Sequence, residues 1–325
     1  MIAPRANPQL RGQSAATATL HHAATAGRLH HGWLITGQPG IGKATLAFRF
    51  ARWLLAGADS PDLSLPESHP VFRRVAAGTH PDLFTLERLL HEKTGKLQSE
   101  IVIDTVRETT KKMHRTAYEG GWRVAIIDGA ENMNPQTANA LLKLLEEPPP
   151  RAILLLVSAA PGRLLPTIRS RCRTLALAPL AEPDVLALLA DYAPELEPTA
   201  CARLAGLAEG SIGTALGLVA GGVSLAGLVD EALASPVAPQ RAQSIAEEVT
   251  RQVDGTDEFE RFFALLRAGL AARTRSMARA GQPPPRLAEA VRLWQELGKL
   301  ELETIGLNLD KRAALIVALS QLHGS

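Results

Sequence analysis

The sequence predicts an α/β domain followed by an all-α region. Three observations predict it: a glycine-rich turn, Gly37 to Thr45, set between an apolar run and a helix pattern; four further apolar runs of strand length separated by helical patterns; and the disappearance of such runs after Leu180.

The elements follow in order. Gly32 to Thr36 is a first strand, and Leu46 to Leu55 an amphipathic helix. Asp82 to Glu87 and Val124 to Asp128 are further strands. Pro135 to Glu147 is a helix that Pro148-Pro149-Pro150 stops, and Ala152 to Ser158 and Thr174 to Leu177 complete five strands. Strands alternating with helices imply a parallel sheet covered by helices. Beyond Leu180, apolar residues recur at helical spacing, as in Val185, Leu186, Leu188 and Leu189 and again in Phe259, Phe262, Phe263, Leu266 and Leu270. The phenylalanine stripe suits a core or an interface, and sequence does not divide the two. Breakers at Pro179, from Gly217 to Gly222 and from Ser235 to Pro239 divide the chain into a sheet domain (1–178), a small helical domain (179–222) and a larger helical domain (223–325). Gly281-Gln282-Pro283-Pro284-Pro285 is a loop between helices inside the last of these.

A chain of 325 residues with 46% hydrophobic and 21% charged residues has core enough for two or three globular domains. No apolar run approaches the roughly 18 to 20 residues that cross a bilayer, and the start has no signal core, so a cytoplasmic location without membrane contact is expected. Cys172 and Cys201 are the only thiols, too few for a disulfide framework. A net charge of +2 gives no global basic field, so tight independent DNA binding is not expected.

The turn Gly37-Gln38-Pro39-Gly40-Ile41-Gly42-Lys43-Ala44-Thr45 has the context a phosphate loop requires. Glycines let the backbone curl with its N–H groups inward, the following helix contributes its N-terminal dipole, and Lys43 can neutralise outer phosphates. Gly37, Gly40, Gly42 and Lys43 thus form a candidate nucleotide site with Ala44 and Thr45. Ala44 stands where a hydroxyl normally ligands magnesium, and Thr45 lies about 100° further around the helix. Asp128 ends an apolar strand at the carboxyl edge of the sheet, where such an aspartate helps hold a metal. The adjacent position, where hydrolysis needs a carboxylate to orient water, is Gly129. Glu131 is expected to face solvent. Downstream, Arg163, Arg169, Arg171 and Arg173 crowd a short stretch suited to recognising anions.

Gly27 to Trp33, the glycine loop, Trp122 to Asp128, Asn139 to Pro149 and Thr167-Ile168-Arg169-Ser170-Arg171-Cys172 together resemble the delta-prime family of bacterial DNA polymerase III clamp-loader subunits, members of the AAA+ superfamily. Glu209 to Leu216 extends the likeness, as does Asn308 to Leu315 more weakly, so effectively the whole chain is covered. The resemblance implies an AAA+ RecA-like five-stranded sheet domain, a small helical lid and a C-terminal helical collar. It implies a five-subunit assembly with tau/gamma and delta subunits that loads a sliding clamp onto primer-template DNA. Within it Arg171 is implied to reach the ATP site of a neighbouring motor subunit as an arginine finger. Ala44, Gly129 and Gly213, the last standing where motor subunits carry a nucleotide-sensing arginine, are departures from the motor pattern. They imply no self-sufficient hydrolysis, and leave open ATP bound without hydrolysis through Lys43 and the loop amides.

Many relatives hold zinc with four cysteines after the first helix. Asp59 to Asp82 contains none, and His69, His80 and His91 lack the spacing of a site, so no zinc is expected and apolar packing by Val71, Phe72 and Leu83 stands in its place. Two other classes compete with the non-hydrolysing subunit: an active tau/gamma-like motor ATPase, and a DNA-binding module using Lys111, Lys112, His114 and Arg115.

Overall fold

The computed structural model describes residues 2–89, 98, 100–220, 222–251, 258–307 and 309–323, so His91 and Asn308 lie outside the described residues. The chain divides into two compact units, Met1–Asp184 and Val185–Ser325.

The first unit carries, in order, α1 (Ser14–Thr25), β1 (Gly32–Thr36), α2 (Lys43–Ala56), α3 (Pro70–Ala76), β2 (Leu83–Leu86), α4 (Ile103–Met113), β3 (Arg123–Asp128), α5 (Pro135–Glu146), β4 (Ala152–Ser158), α6 (Pro166–Arg169) and β5 (Arg173–Ala176). The five strands form one parallel sheet in the order β2-β3-β4-β1-β5. β1 and β4 are buried along their whole length, which is why both read as unbroken apolar runs rather than alternating ones. Leu46, Ala47, Phe50 and Ala51 of α2 pack on one face of the sheet with Trp33, Ile35, Ile126 and Leu155. Leu141, Leu144 and Leu145 of α5 cover the other face with Leu34, Ile127 and Leu154.

Caps fix the helix ends. Asn134 accepts from the Thr137 amide at 2.9 Å to start α5, with Pro135 in the first turn, where its missing N–H costs nothing. α2 opens at Gly42 and closes at Gly57, both left-handed. Its expected amphipathic character is only partly seen, because even Arg49 and Arg52 are buried. Arg52 donates to the carbonyls of Arg5 and Asn7 at 2.9 and 2.8 Å and lies 4.5 Å from the Phe72 ring centre. Burial lowers its pKa to about 10, which leaves the guanidinium charged at neutral pH. With Arg49 donating to the Pro8 carbonyl at 2.7 Å, the two arginines strap the N-terminal segment onto α2.

The second unit takes up most of α7 (Glu182–Tyr192) and then α8 (Pro198–Leu207), α9 (Ile212–Ala220), α10 (Gly222–Ala234), α11 (Pro239–Thr250), α12 (Glu258–Arg279), α13 (Pro284–Gly306) and α14 (Lys311–Gln321). Among the described residues it contains no strand, in keeping with the all-α expectation. Phe259, Phe262, Phe263 and Leu266 are at most 1% exposed, which makes the stripe core. No described helix is long and apolar enough to cross a membrane.

Candidate nucleotide site and arginine turn

β1 delivers the chain into the glycine loop at the carboxyl edge of the sheet. Gly37, Gly40 and Gly42 have φ of +143°, +74° and +96°, conformations that disfavour any side chain. At Gly37 a Cβ would also lie 2.6 Å from Ile41 Cδ1 and 2.8 Å from the Leu177 carbonyl. The buried Gln13 amide holds the loop from below, donating to the carbonyls of Ile41 at 3.2 Å and Ala178 at 3.0 Å. Gln13 was missed from sequence because its two partners lie 28 and 165 residues away.

Lys43 begins α2 and is only 7% exposed. Its Nζ turns back across the loop and donates to the carbonyls of Gly37 at 2.8 Å and Gln38 at 2.6 Å. Ala44 offers a methyl group at the next position, and Thr45 is buried.

Asp128 ends β3, two strands from β1 and hence about 10 Å away across the sheet. Burial first, then the nearby Glu87 charge, pushes its carboxyl above the usual carboxylate range, while Lys43 opposes the rise. Lys43 in turn is lowered by burial and supported by Glu131 and Asp128. For Lys43 and Asp128 alike, loss of water outweighs their mutual attraction. Glu131 does not face solvent as expected. Its Oε1 accepts from the Ala159 amide at 3.0 Å, and its Oε2 is buried with no hydrogen-bond partner among the described residues. The 3-10 turn after Gly129 swings this carboxylate inward, over the end of β4. Gly129 itself has φ +72°.

Arg171 lies at the other edge of the sheet. It precedes β5 by two residues, and its carbonyl lies 3.3 Å from where a Cβ on Gly32, at the start of β1, would be. About 13 Å of β1 separates that end from the glycine loop. The Arg171 side chain is 37% exposed; Nη1 donates to the Thr167 carbonyl at 3.0 Å and Nη2 lies 2.9 Å from Glu146 Oε1. The geometry thus brings Gly37, Gly40, Gly42, Lys43 and Asp128 together and keeps Arg171 away from them. Of the neighbouring arginines, Arg173 stacks over the Trp33 ring at 5.1 Å, while Arg163 and Arg169 are exposed.

His69 and His80 serve backbone turns. His69 caps α3 by accepting from the Val71 amide at 3.2 Å, and His80 Nδ1 accepts from the Asp82 amide at 3.3 Å. Asp82 accepts from the amides of Tyr118 and Glu119, and Arg74 grips Glu119 through both guanidinium nitrogens. This polar cluster adds to the packing of Val71 and Phe72, which are buried as expected, whereas Leu83 is only half-buried. In the basic cluster, the exposed Lys111 and Lys112 lie in the last turn of α4 and the exposed His114 and Arg115 just beyond it, and Lys112 pairs with Glu108 at 2.7 Å. Gly213 lies in the first turn of α9. In the second unit Leu302, Ile305, Leu307 and Leu309 around the end of α13, with Ile316 and Val317 on α14, are exposed apolar side chains that periodicity did not single out.

Residues 12–181 match the family described as DNA polymerase III, delta subunit. DNA polymerase III subunit delta' of Pseudomonas aeruginosa is 44% identical over 142 residues, covering 44% of this chain and 41% of that protein. The subunit delta' of Escherichia coli is 37% identical over 196 residues, covering 60% and 56%. DNA polymerase III subunit gamma/tau of Mycobacterium tuberculosis is 32% identical over 170 residues, covering 52% and 28%. The matched segments therefore span between about a quarter and just over half of the relatives' own lengths. Because the family match takes in the glycine loop, Asp128 and Arg171 and extends over more than half of the chain, this protein belongs to the DNA polymerase III delta-subunit family.

Proposed function

We propose that this chain is a delta-prime subunit of the DNA polymerase III clamp loader, which does not hydrolyse ATP itself and supplies Arg171 to the nucleotide site of an adjoining tau/gamma subunit. The observation that carries the proposal is the position of Arg171: part-exposed at the amino edge of the sheet, about 13 Å of strand from the chain's own loop. A guanidinium there suits a phosphate brought by another subunit and not one held at Lys43. Delta and tau/gamma subunits, the sliding clamp and primed DNA are the partners this reading calls for, in the cytoplasm.

The chain's own loop fits phosphates better than it fits hydrolysis. The glycine conformations and the start of α2 favour an anion, and Lys43 would have only to exchange two carbonyls for phosphate oxygens. With Ala44 in the magnesium hydroxyl's place and Gly129 in that of the water-orienting carboxylate, nucleotide here would be held without turnover. No zinc is called for, since His69 and His80 are committed to backbone turns.

The test is reconstitution of the loader with Arg171→Ala. The assembly should form normally while its DNA-dependent ATP turnover and clamp loading fall by at least about a hundredfold at the affected site. Unchanged turnover would overturn the proposal, and sustained ATP hydrolysis by the isolated chain would favour a motor subunit instead.

A further inference from the structure

We infer that Glu146 is a positioning residue for Arg171, fixing the direction in which the guanidinium is presented; this rests on the arginine-finger reading above. Glu146 is the last residue of α5 and Arg171 follows α6, so the pair exists only because these two helices pack together. Glu146 Oε1 lies 2.9 Å from Arg171 Nη2, and the Thr167 carbonyl accepts from Nη1 at 3.0 Å. Two anchors on different elements thus grip different nitrogens of one planar group, and an arginine carries five N–H donors. A long exposed side chain would otherwise sample many rotamers, and ordering it at the moment of reaction would raise the barrier.

The pair is poorly suited to holding the fold. Its side chains are 37% and 48% exposed, and pairs of that kind contribute little to stability. Weakness suits a positioning role, because a phosphate arriving from outside can draw the guanidinium outward without paying for a buried ion pair. The last turn of α5 is held in place independently: the Leu145 carbonyl, one residue earlier, meets His31 Nε2 at 2.9 Å. Glu146 therefore stands on a firm base and offers a soft contact.

The experiment compares Glu146→Ala, Glu146→Gln, Arg171→Ala and the Glu146→Ala/Arg171→Ala double variant in the reconstituted loader, measuring kcat and KM for ATP in the presence of primed DNA. Glu146→Ala should lower kcat about three- to tenfold with KM nearly unchanged, and should move the melting temperature of the isolated chain by no more than about 4 °C. Glu146→Gln, which keeps an accepting oxygen, should recover at least half of the wild-type kcat. In the Arg171→Ala background, Glu146→Ala should add nothing. Wild-type kcat for Glu146→Ala alongside a strong loss for Arg171→Ala overturns this inference alone. So does a Gln variant as slow as Ala, or an equal further loss in the Arg171→Ala background. An Arg171→Ala loader with normal turnover removes the arginine reading itself.

Discussion

The Asn132 side-chain amide donates to the Gly129 carbonyl at 3.0 Å, and the same nitrogen lies 2.7 Å from where a Gly129 Cβ would be. Two restraints therefore keep position 129 a glycine: a left-handed backbone and a neighbour already in the side chain's space.

Placing a carboxylate at position 129 should accordingly be costly. Gly129→Glu is expected to destabilise the chain by about 1–3 kcal/mol, as Asn132 swings away and gives up its bond. It should not produce ATP turnover in the isolated chain, because Ala44 still lacks a hydroxyl. Chemical denaturation and a phosphate-release assay on the same preparation check both halves.

Mild acid should weaken the first unit through His80 and His31, with the raised carboxyl of Asp128 opposing part of the loss. His80, facing Arg74, Asp82 and Glu119, is lowered below 6.5 mainly by burial and then by Arg74. His31, stacked 4.3 Å from His30 and bonded to the Leu145 carbonyl, is lowered by burial and then by His30. A histidine whose folded pKa is depressed binds protons more readily when unfolded. Stability is thus fullest above 6.5, the unfolded value, and declines as pH falls from there toward the lower folded value. Melting temperatures should drop between pH 7 and 5, and His80→Gln should flatten part of that slope.

The second unit separates core from candidate interface. Phe262→Ala should cost about 3–5 kcal/mol, since the ring is fully buried. Leu302→Ser and Leu307→Ser, at positions 65% and 70% exposed, should shift stability by no more than about 0.5 kcal/mol. Those same changes should weaken co-elution with the other loader subunits if the apolar surface is covered in the assembly. Unchanged co-elution would place the subunit contacts elsewhere.

Most of the sheet was readable because a strand buried on both faces leaves an unbroken apolar run, as Ala152 to Ser158 does, and the five runs are reproduced to within a residue or so at each end. The glycine loop was readable because its chemistry is local. What sequence hid depends on distant partners. In α2, which reads as amphipathic, Arg49 and Arg52 are buried because the N-terminal segment lies over them. Glu131 looked like a surface carboxylate until the turn after Gly129 aimed it at Ala159. The phenylalanine stripe could not be divided into core or contact by periodicity, because both demand the same spacing. The partner of Arg171 needed two helices to meet.

Gly32 leaves no room around it: an added Cβ would lie 2.9 Å from Leu145 Cδ2, 3.3 Å from the Arg171 carbonyl and 3.4 Å from Cys172 Sγ. The turn bearing the arginine is therefore clamped to the same strand that feeds the glycine loop, with no hinge between them. The backbone of that turn moves with the sheet while the Arg171 side chain keeps its own torsions, so any displacement of the sheet is carried to the base of the guanidinium arm.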